Sequence, residues 1–208
     1  MNRLKINILG NPKIEYNQED ITEKLSSKSI GLLSYLLVEG KDGINREKVA
    51  NMFWETSKDQ AAKYNLRYNL WAINKLIRIE KHEIEKSLII CDKSQIKFCE
   101  DIELYSDIHE FQKIYQSDDE IQIEDLITLK KLYIGDFLES FYLKNCLTFN
   151  DWIFYEREKG QKTYFDVLYR MKKKKKKEHN YLKQIEILEE MIRINALDEE
   201  LYVELINI

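Results

Sequence analysis

The chain has 208 residues, of which 44% are hydrophobic and 34% are charged, a balance that suits a packed core with a solvated surface. No stretch approaches the ~18 consecutive apolar residues of a membrane span, and the three cysteines and three histidines have no metal-ligand spacing, so we expect neither a membrane segment nor a bound metal. The net charge of −4 is uneven, with 17 basic against 14 acidic side chains in residues 1–100 and 16 against 23 in residues 101–208, so only the first half suits a polyanion.

The N-terminal residues predict a small antiparallel sheet. Leu4, Ile6 and Ile8 alternate with polar residues, which is the period of a half-buried strand. A Gly-Asn-Pro turn follows, and a second alternating stretch surrounds Ile14. After another turn we expect a short third strand near Ile21.

Two helices come next. Apolar residues in 28–39 recur with the helical period, and Gly40 ends this run in the manner of a helix C-terminal glycine. Asn45 is suited to cap the second helix, REKVANMFWE, which starts at the next residue.

A central helix is predicted over residues 57–79, with Ser57 as N-cap and Gln60 completing a capping box. Its apolar side is expected to be a single buried stripe. That stripe consists of Ala62, Leu66, Leu70, Ile73 and Ile77. The opposite side carries cations, amides and large rings, namely Lys63, Tyr64, Arg67, Tyr68, Trp71, Asn74 and Lys75.

A hairpin is predicted after the central helix. Residues 87–90 and 95–98 are rich in β-branched and aromatic side chains and flank the turn Asp92-Lys93-Ser94. The order of sheet, three helices and hairpin is that of a winged helix–turn–helix with an extra N-terminal sheet. In this fold the central helix would enter a major groove and the hairpin near Lys93 would be the wing.

From about residue 101 onward the pattern is entirely helical. Long helices with large residues at helical spacing predict tetratricopeptide-like hairpins, although the glycine and proline of that repeat are missing. Trp152 is expected to be largely buried within this part. The last helix begins near Leu201 and has no following partner before Ile208, so we expect a truncated helical domain of a longer protein.

Particular segments carry a family resemblance. The run LLSYLLVEGKDGINREKVANMFWE, followed by AAKYNLRYNLWAINKLI, resembles the winged helix of bacterial SARP-type transcriptional activators. The segments SDIHEF, LYIGDFLES and DWIFYEREK resemble the bacterial transcriptional activation domain of the same proteins. The resemblance implies a cytoplasmic transcription regulator of mainly α fold. Residues 1–100 would be an OmpR-like winged helix that reads double-stranded DNA, and residues 101–208 a helical domain for homodimerisation or for contact with RNA polymerase or another regulatory protein.

The candidate DNA contacts follow from the central helix and the wing. Arg67 can pair bidentately with guanine, and Asn74 can reach a base edge. Lysines here would neutralise phosphates, while the rings would pack on thymine methyl groups or against another protein surface. The full set is Lys63, Tyr64, Arg67, Tyr68, Trp71, Asn74, Lys75 and Lys93.

A second hypothesis is a protein-interaction module with a winged-helix fold that has lost strong DNA binding. The acidic composition favours it, and so does the presence of Ala72 and Asn74 where the resembled family commonly has arginines. We expect no enzyme and no cofactor, because phosphate-loop and nucleophile-elbow motifs are missing. Asp136, Asp151 and Glu156 are interpreted as helix caps and interhelical hydrogen-bond partners.

Overall fold

The computed structural model describes residues 2–81, 84–92, 94–116 and 121–208, with only the backbone of residues 79–81, 84 and 85. Along these residues the elements follow one another in the order below. They are β1 (Arg3–Asn7), β2 (Lys13–Tyr16), β3 (Glu19–Asp20), α1 (Ser27–Glu39), β4 (Ile44–Asn45), α2 (Arg46–Phe53), α3 (Asp59–Leu76), β5 (Arg78–Lys81), β6 (Ile84–Ser87), β7 (Ile89–Cys91), β8 (Gln95–Phe98), β9 (Glu103–Ser106), α4 (Asp107–Gln116), α5 (Ile123–Leu132), α6 (Leu147–Lys177), α7 (Tyr181–Ile194) and α8 (Glu199–Ile206).

The N-terminal sheet is confirmed and has one more strand than predicted. Its order is β3-β2-β1-β9, with β1 antiparallel to β2 and parallel to β9. Leu4, Ile6 and Ile14 are fully buried on its inner face, as the alternation predicts. The prediction that residues from about 101 onward are entirely helical is therefore wrong at β9.

The middle of the chain is a winged helix–turn–helix. Helices α1, α2 and α3 precede a three-stranded wing of order β4-β8-β7. The Asn45 side chain caps α2 as predicted, since its Oδ1 accepts from the backbone N–H of Glu47 and Lys48 at 2.9 and 3.1 Å. An additional hairpin of β5 and β6, which the sequence analysis did not predict, lies between α3 and the wing.

The central helix is shorter than the predicted span of 57–79. It begins at Asp59 and ends at Leu76, because the next residues turn into strand β5. Ser57 is not the N-cap: its N–H closes a turn onto the Trp54 carbonyl at 2.9 Å, and the N-cap Lys58 makes no side-chain capping bond.

Helices α4 to α8 form the rear of the protein, and α6 packs against α5, α7 and also α2. Trp152 of α6 is half-buried rather than largely buried, because it lies where α6 meets α1 at the surface. Its ring packs edge-on against Tyr35 and Phe137, with centroids 4.9 and 5.4 Å away. Its Nε1 donates to Glu39 at 3.1 Å, so one side chain ties the helical part to the winged helix.

Asp107 makes a second tie between the two parts. Its buried carboxylate accepts from the backbone N–H groups of Ile8 and Leu9 at distances between 2.8 and 3.0 Å. These donors lie just past the end of β1, so α4 is fastened to the N-terminal sheet at its first residue. In the described part of the chain, no helix combines the length and apolar character needed to cross a membrane.

Candidate nucleic-acid interface

The position of α3 is set by its apolar stripe. Ala62, Leu66, Leu70, Ile73 and Ile77 are each at most 3% exposed, as predicted, and they hold one side of the helix in the core. Because α3 packs on α1 and α2 through this side, the opposite side faces solvent with its side chains free to meet a partner.

An aromatic ridge runs along the outer side of α3. Tyr64, Tyr68 and Trp71 are 64%, 57% and 55% exposed, and the ring centroids of Tyr68 and Trp71 lie 5.9 Å apart. The ridge continues to Lys75, whose Nζ lies 5.0 Å from the centre of the Trp71 ring. Three large rings in a row with a cation at the end form a surface that is both apolar and weakly positive.

The two cations on the other flank of α3 differ in how they are held. Lys63 pairs with Glu47 of α2 at 2.6 Å, and this neighbour raises the pKa of Lys63 while the lysine lowers the pKa of Glu47. The exposed Arg67 has one long contact in the described structure, from Nε to the Lys63 carbonyl at 3.5 Å. Its guanidinium is thus available for a bidentate contact, whereas Lys63 must first leave a surface ion pair.

Asn74 has a different role from the other predicted contacts. Its Nδ2 donates to the Ile89 carbonyl at 3.0 Å, and its Oδ1 accepts from the Ile89 N–H at 2.8 Å. Ile89 lies on β7, an edge strand of the wing, so Asn74 replaces a neighbouring strand for one peptide. With both amide atoms engaged, this side chain fixes the wing to α3 and is not oriented toward a base edge.

The tip of the wing is held by Asp92 and Arg46. The Asp92 carboxylate accepts from the backbone N–H of Ser94 and Gln95 at 2.7 and 2.6 Å, and these bonds lower its pKa. Arg46 donates from Nη1 to the Asp92 carbonyl at 2.9 Å, which joins the tip to the start of α2. Lys93, the predicted wing contact, lies outside the described residues.

Sequence reasoning did not single out Arg46 and Glu47 as parts of this surface. Both occupy the first turn of α2, directly after Asn45. An acidic residue in a helix first turn is ordinarily explained by the helix dipole, so the sequence held no signal that Glu47 would neutralise Lys63. For other kinds of site, a search of the described residues finds no cluster of metal-ligating side chains.

The geometry of α1 to α3 with the β7–β8 hairpin defines the class as a winged helix–turn–helix followed by a helical domain. No family model and no curated protein matches the chain. Among solved structures, Mycobacterium tuberculosis EmbR in complex with a low-affinity phosphopeptide is similar, with a TM-score of 0.71 and 13% sequence identity. The similarity covers 100% of this chain and 54% of the EmbR chain, so this chain spans about half the length of that protein. At this identity the comparison establishes a shared fold.

Proposed function

We propose that this protein is a cytoplasmic, bacterial transcription regulator of the SARP type that binds double-stranded DNA through α3 and the wing. The fold shared with EmbR over the whole chain supports this proposal, together with the segments that resemble SARP proteins. The observation that carries it is the geometry of α3. One side of that helix is buried, the other is exposed, and a wing is fastened beside it by Asn74. No part of the proposed activity is enzymatic, and it needs no cofactor.

In this proposal the groove-facing residues have separate tasks. Arg67 contacts a base or a phosphate, and Lys75 neutralises a phosphate. Lys63 makes a further phosphate contact once it leaves Glu47, a change that costs little because exposed ion pairs are worth about 0–1 kcal/mol. Tyr64, Tyr68 and Trp71 pack on thymine methyl groups, and Asn74 acts by positioning the wing.

The affinity for DNA should be modest. Arg67, Lys75, Lys63 and the wing residue Lys93 give two to four neutralised phosphates, which corresponds to a log–log salt slope of about −2 to −4. Such a protein gains useful affinity when two copies bind adjacent sites. We propose that residues 101–208 supply this second contact, as a homodimer or by binding RNA polymerase or another regulatory protein. Phe154 and Tyr155 on the outer side of α6 are about two-thirds exposed and suit such an interface.

The alternative function is a protein-interaction module that has lost strong DNA binding. Two observations favour it: the aromatic ridge on α3 is the kind of surface that protein interfaces use, and Lys63 is already paired with an acidic neighbour. The two functions predict different partners for one surface.

Selection from a random duplex pool at low salt tests the proposal. The full chain should enrich a common sequence, and its binding to that duplex should weaken as salt rises. A pool that stays random, with no salt-dependent binding of any duplex at low ionic strength, would contradict DNA binding and favour the interaction module. An Arg67→Ala, Lys75→Ala double variant serves as the control, because it keeps the fold and should enrich nothing.

A further inference from the structure

A cavity of about 440 Å³ lies between the winged helix and the helical part, where α1, α4 and α6 meet. Its volume is within the range of pockets that hold small organic molecules, and such pockets are frequent where two parts of a chain meet. The apolar wall is largely aromatic and consists of Leu9, Val38, Ile108, Phe111, Tyr133 and Phe137. Nothing in the proposed DNA contact uses this space.

A buried carboxylate lines the same cavity. Glu156 of α6 is 5% exposed, and within the described part of the chain its partner is Lys159, whose Nζ lies 3.3 Å from Oε2. The Lys159 side chain is 52% exposed, so the ammonium can turn to solvent and leave the carboxylate. Burying a carboxylate is costly unless it is fully paired. The cavity thus contains an acidic group with room for a second, better-placed cation.

Gly160 is a further sign that the space is kept open. It lies inside α6, where glycine destabilises a helix by about 1 kcal/mol relative to alanine, and it lines the cavity. Packing does not require glycine here, because a Cβ would meet Cε2 of Tyr133 at an ordinary 3.7 Å. Helix stability is therefore given up at a position where any longer side chain would reduce the cavity.

We propose that this cavity binds a small organic cation with a flat apolar body, of the arylalkylamine class. The ammonium group pairs with Glu156 in place of Lys159, while the apolar body lies against the aromatic wall, whose ring faces also attract cations. Glu39 lines the cavity as well, so its charged lining is two carboxylates against one ammonium. This balance selects a cation over an anion.

Phenethylamine is the probe, with phenethyl alcohol as its neutral match and phenylacetate as its anionic match. Titration into the ¹⁵N-labelled full chain should give saturable shifts of amides around the cavity. We expect phenethylamine to bind at least about tenfold more tightly than either match. Equal binding of the amine and the alcohol, or no saturable binding of the amine up to about 10 mM, would overturn the proposal.

Three variants locate the binding site. Glu156→Gln should weaken phenethylamine by about tenfold and leave phenethyl alcohol unchanged. Gly160→Leu should fill the cavity and remove binding of both, whereas Gly160→Ala, the matched control, should retain binding. Thermal unfolding shows which variants are folded. If Glu156→Gln binds the amine as tightly as the unaltered chain, the proposal is wrong; if that variant does not fold, the amine–alcohol comparison on the unaltered chain decides.

Discussion

Asn74→Ala should loosen the wing from α3. The substitution removes two hydrogen bonds to the Ile89 peptide, at 3.0 and 2.8 Å, and Ile89 itself is 1% exposed. Each lost bond of this kind costs about 1 kcal/mol, and more when the remaining group is left unsatisfied in the core. Alanine returns up to about 0.7 kcal/mol of helix propensity. We therefore expect the free energy of unfolding to fall by about 2 kcal/mol.

Urea unfolding measures this loss, with Lys75→Ala as the matched control on the same exposed turn. Lys75 bonds no backbone group of the wing, so its removal should change stability by at most about 0.5 kcal/mol. Hydrogen exchange of the Ile89 amide gives a local measurement, since the N–H loses its acceptor and should exchange faster in Asn74→Ala. The reasoning is refuted if Asn74→Ala is as stable as the control and the Ile89 amide stays protected.

The same variant tests whether Asn74 positions or contacts DNA. Because its amide carries no charge and is held by the wing, Asn74→Ala should weaken binding to a selected duplex without changing the salt slope. An unchanged stability together with a preference lost at one base pair would instead identify Asn74 as a direct base contact, as the sequence suggested.

Three further substitutions test the fold and the surface. Trp152→Ala should lower the free energy of unfolding by about 3 kcal/mol, near the low end for tryptophan because the ring is half-buried, while Trp152→Phe keeps the ring packing and should cost about 1 kcal/mol for the lost bond to Glu39; calorimetry of both variants checks this. Asp107→Asn should cost about 1–3 kcal/mol in urea unfolding, because one carboxylate oxygen that accepts from Ile8 or Leu9 becomes an NH₂ donor. Lys75→Ala should reduce the salt slope of DNA binding by about one unit for all sequences alike, and anisotropy titrations at several salt concentrations would contradict the phosphate contact if the slope is unchanged.

Local patterns in the sequence were sufficient to predict much of the winged helix. The stripe from Ala62 to Ile77 and the Asn45 cap depend on residues close together in the chain, and both are confirmed. The predicted end of α3 was too late because Ile77 continues the apolar spacing, although its backbone is already extended at φ −112° and ψ 98°. Periodicity alone cannot show where a helix gives way to a strand.

The missed features depend on contacts between distant residues. Strand β9 is four residues long, and its stabilising partner is β1, with Leu4 opposite Leu104. No local signal identifies such a strand, because strand formation depends largely on the neighbour. The pairing of Lys63 with Glu47 and of Asn74 with Ile89 likewise appears only when α2 and β7 are placed beside α3. Surface side chains were correctly assigned to the outer side, but their availability could not be predicted.

Replacing Tyr68 and Trp71 by alanine separates the two proposed functions. Both rings are more than half exposed, so the double variant should stay folded, and Tyr155→Ala on α6 is a control of similar exposure outside α3. If α3 enters a groove, the variant loses its preference for the selected duplex but keeps the salt slope, because no charge is removed. If the ridge is a protein interface, sedimentation or pull-down shows lost association while DNA binding is unchanged. A variant that behaves like the Tyr155→Ala control in both assays would mean that the ridge serves neither function, and the groove assignment of α3 would then depend on Arg67 alone.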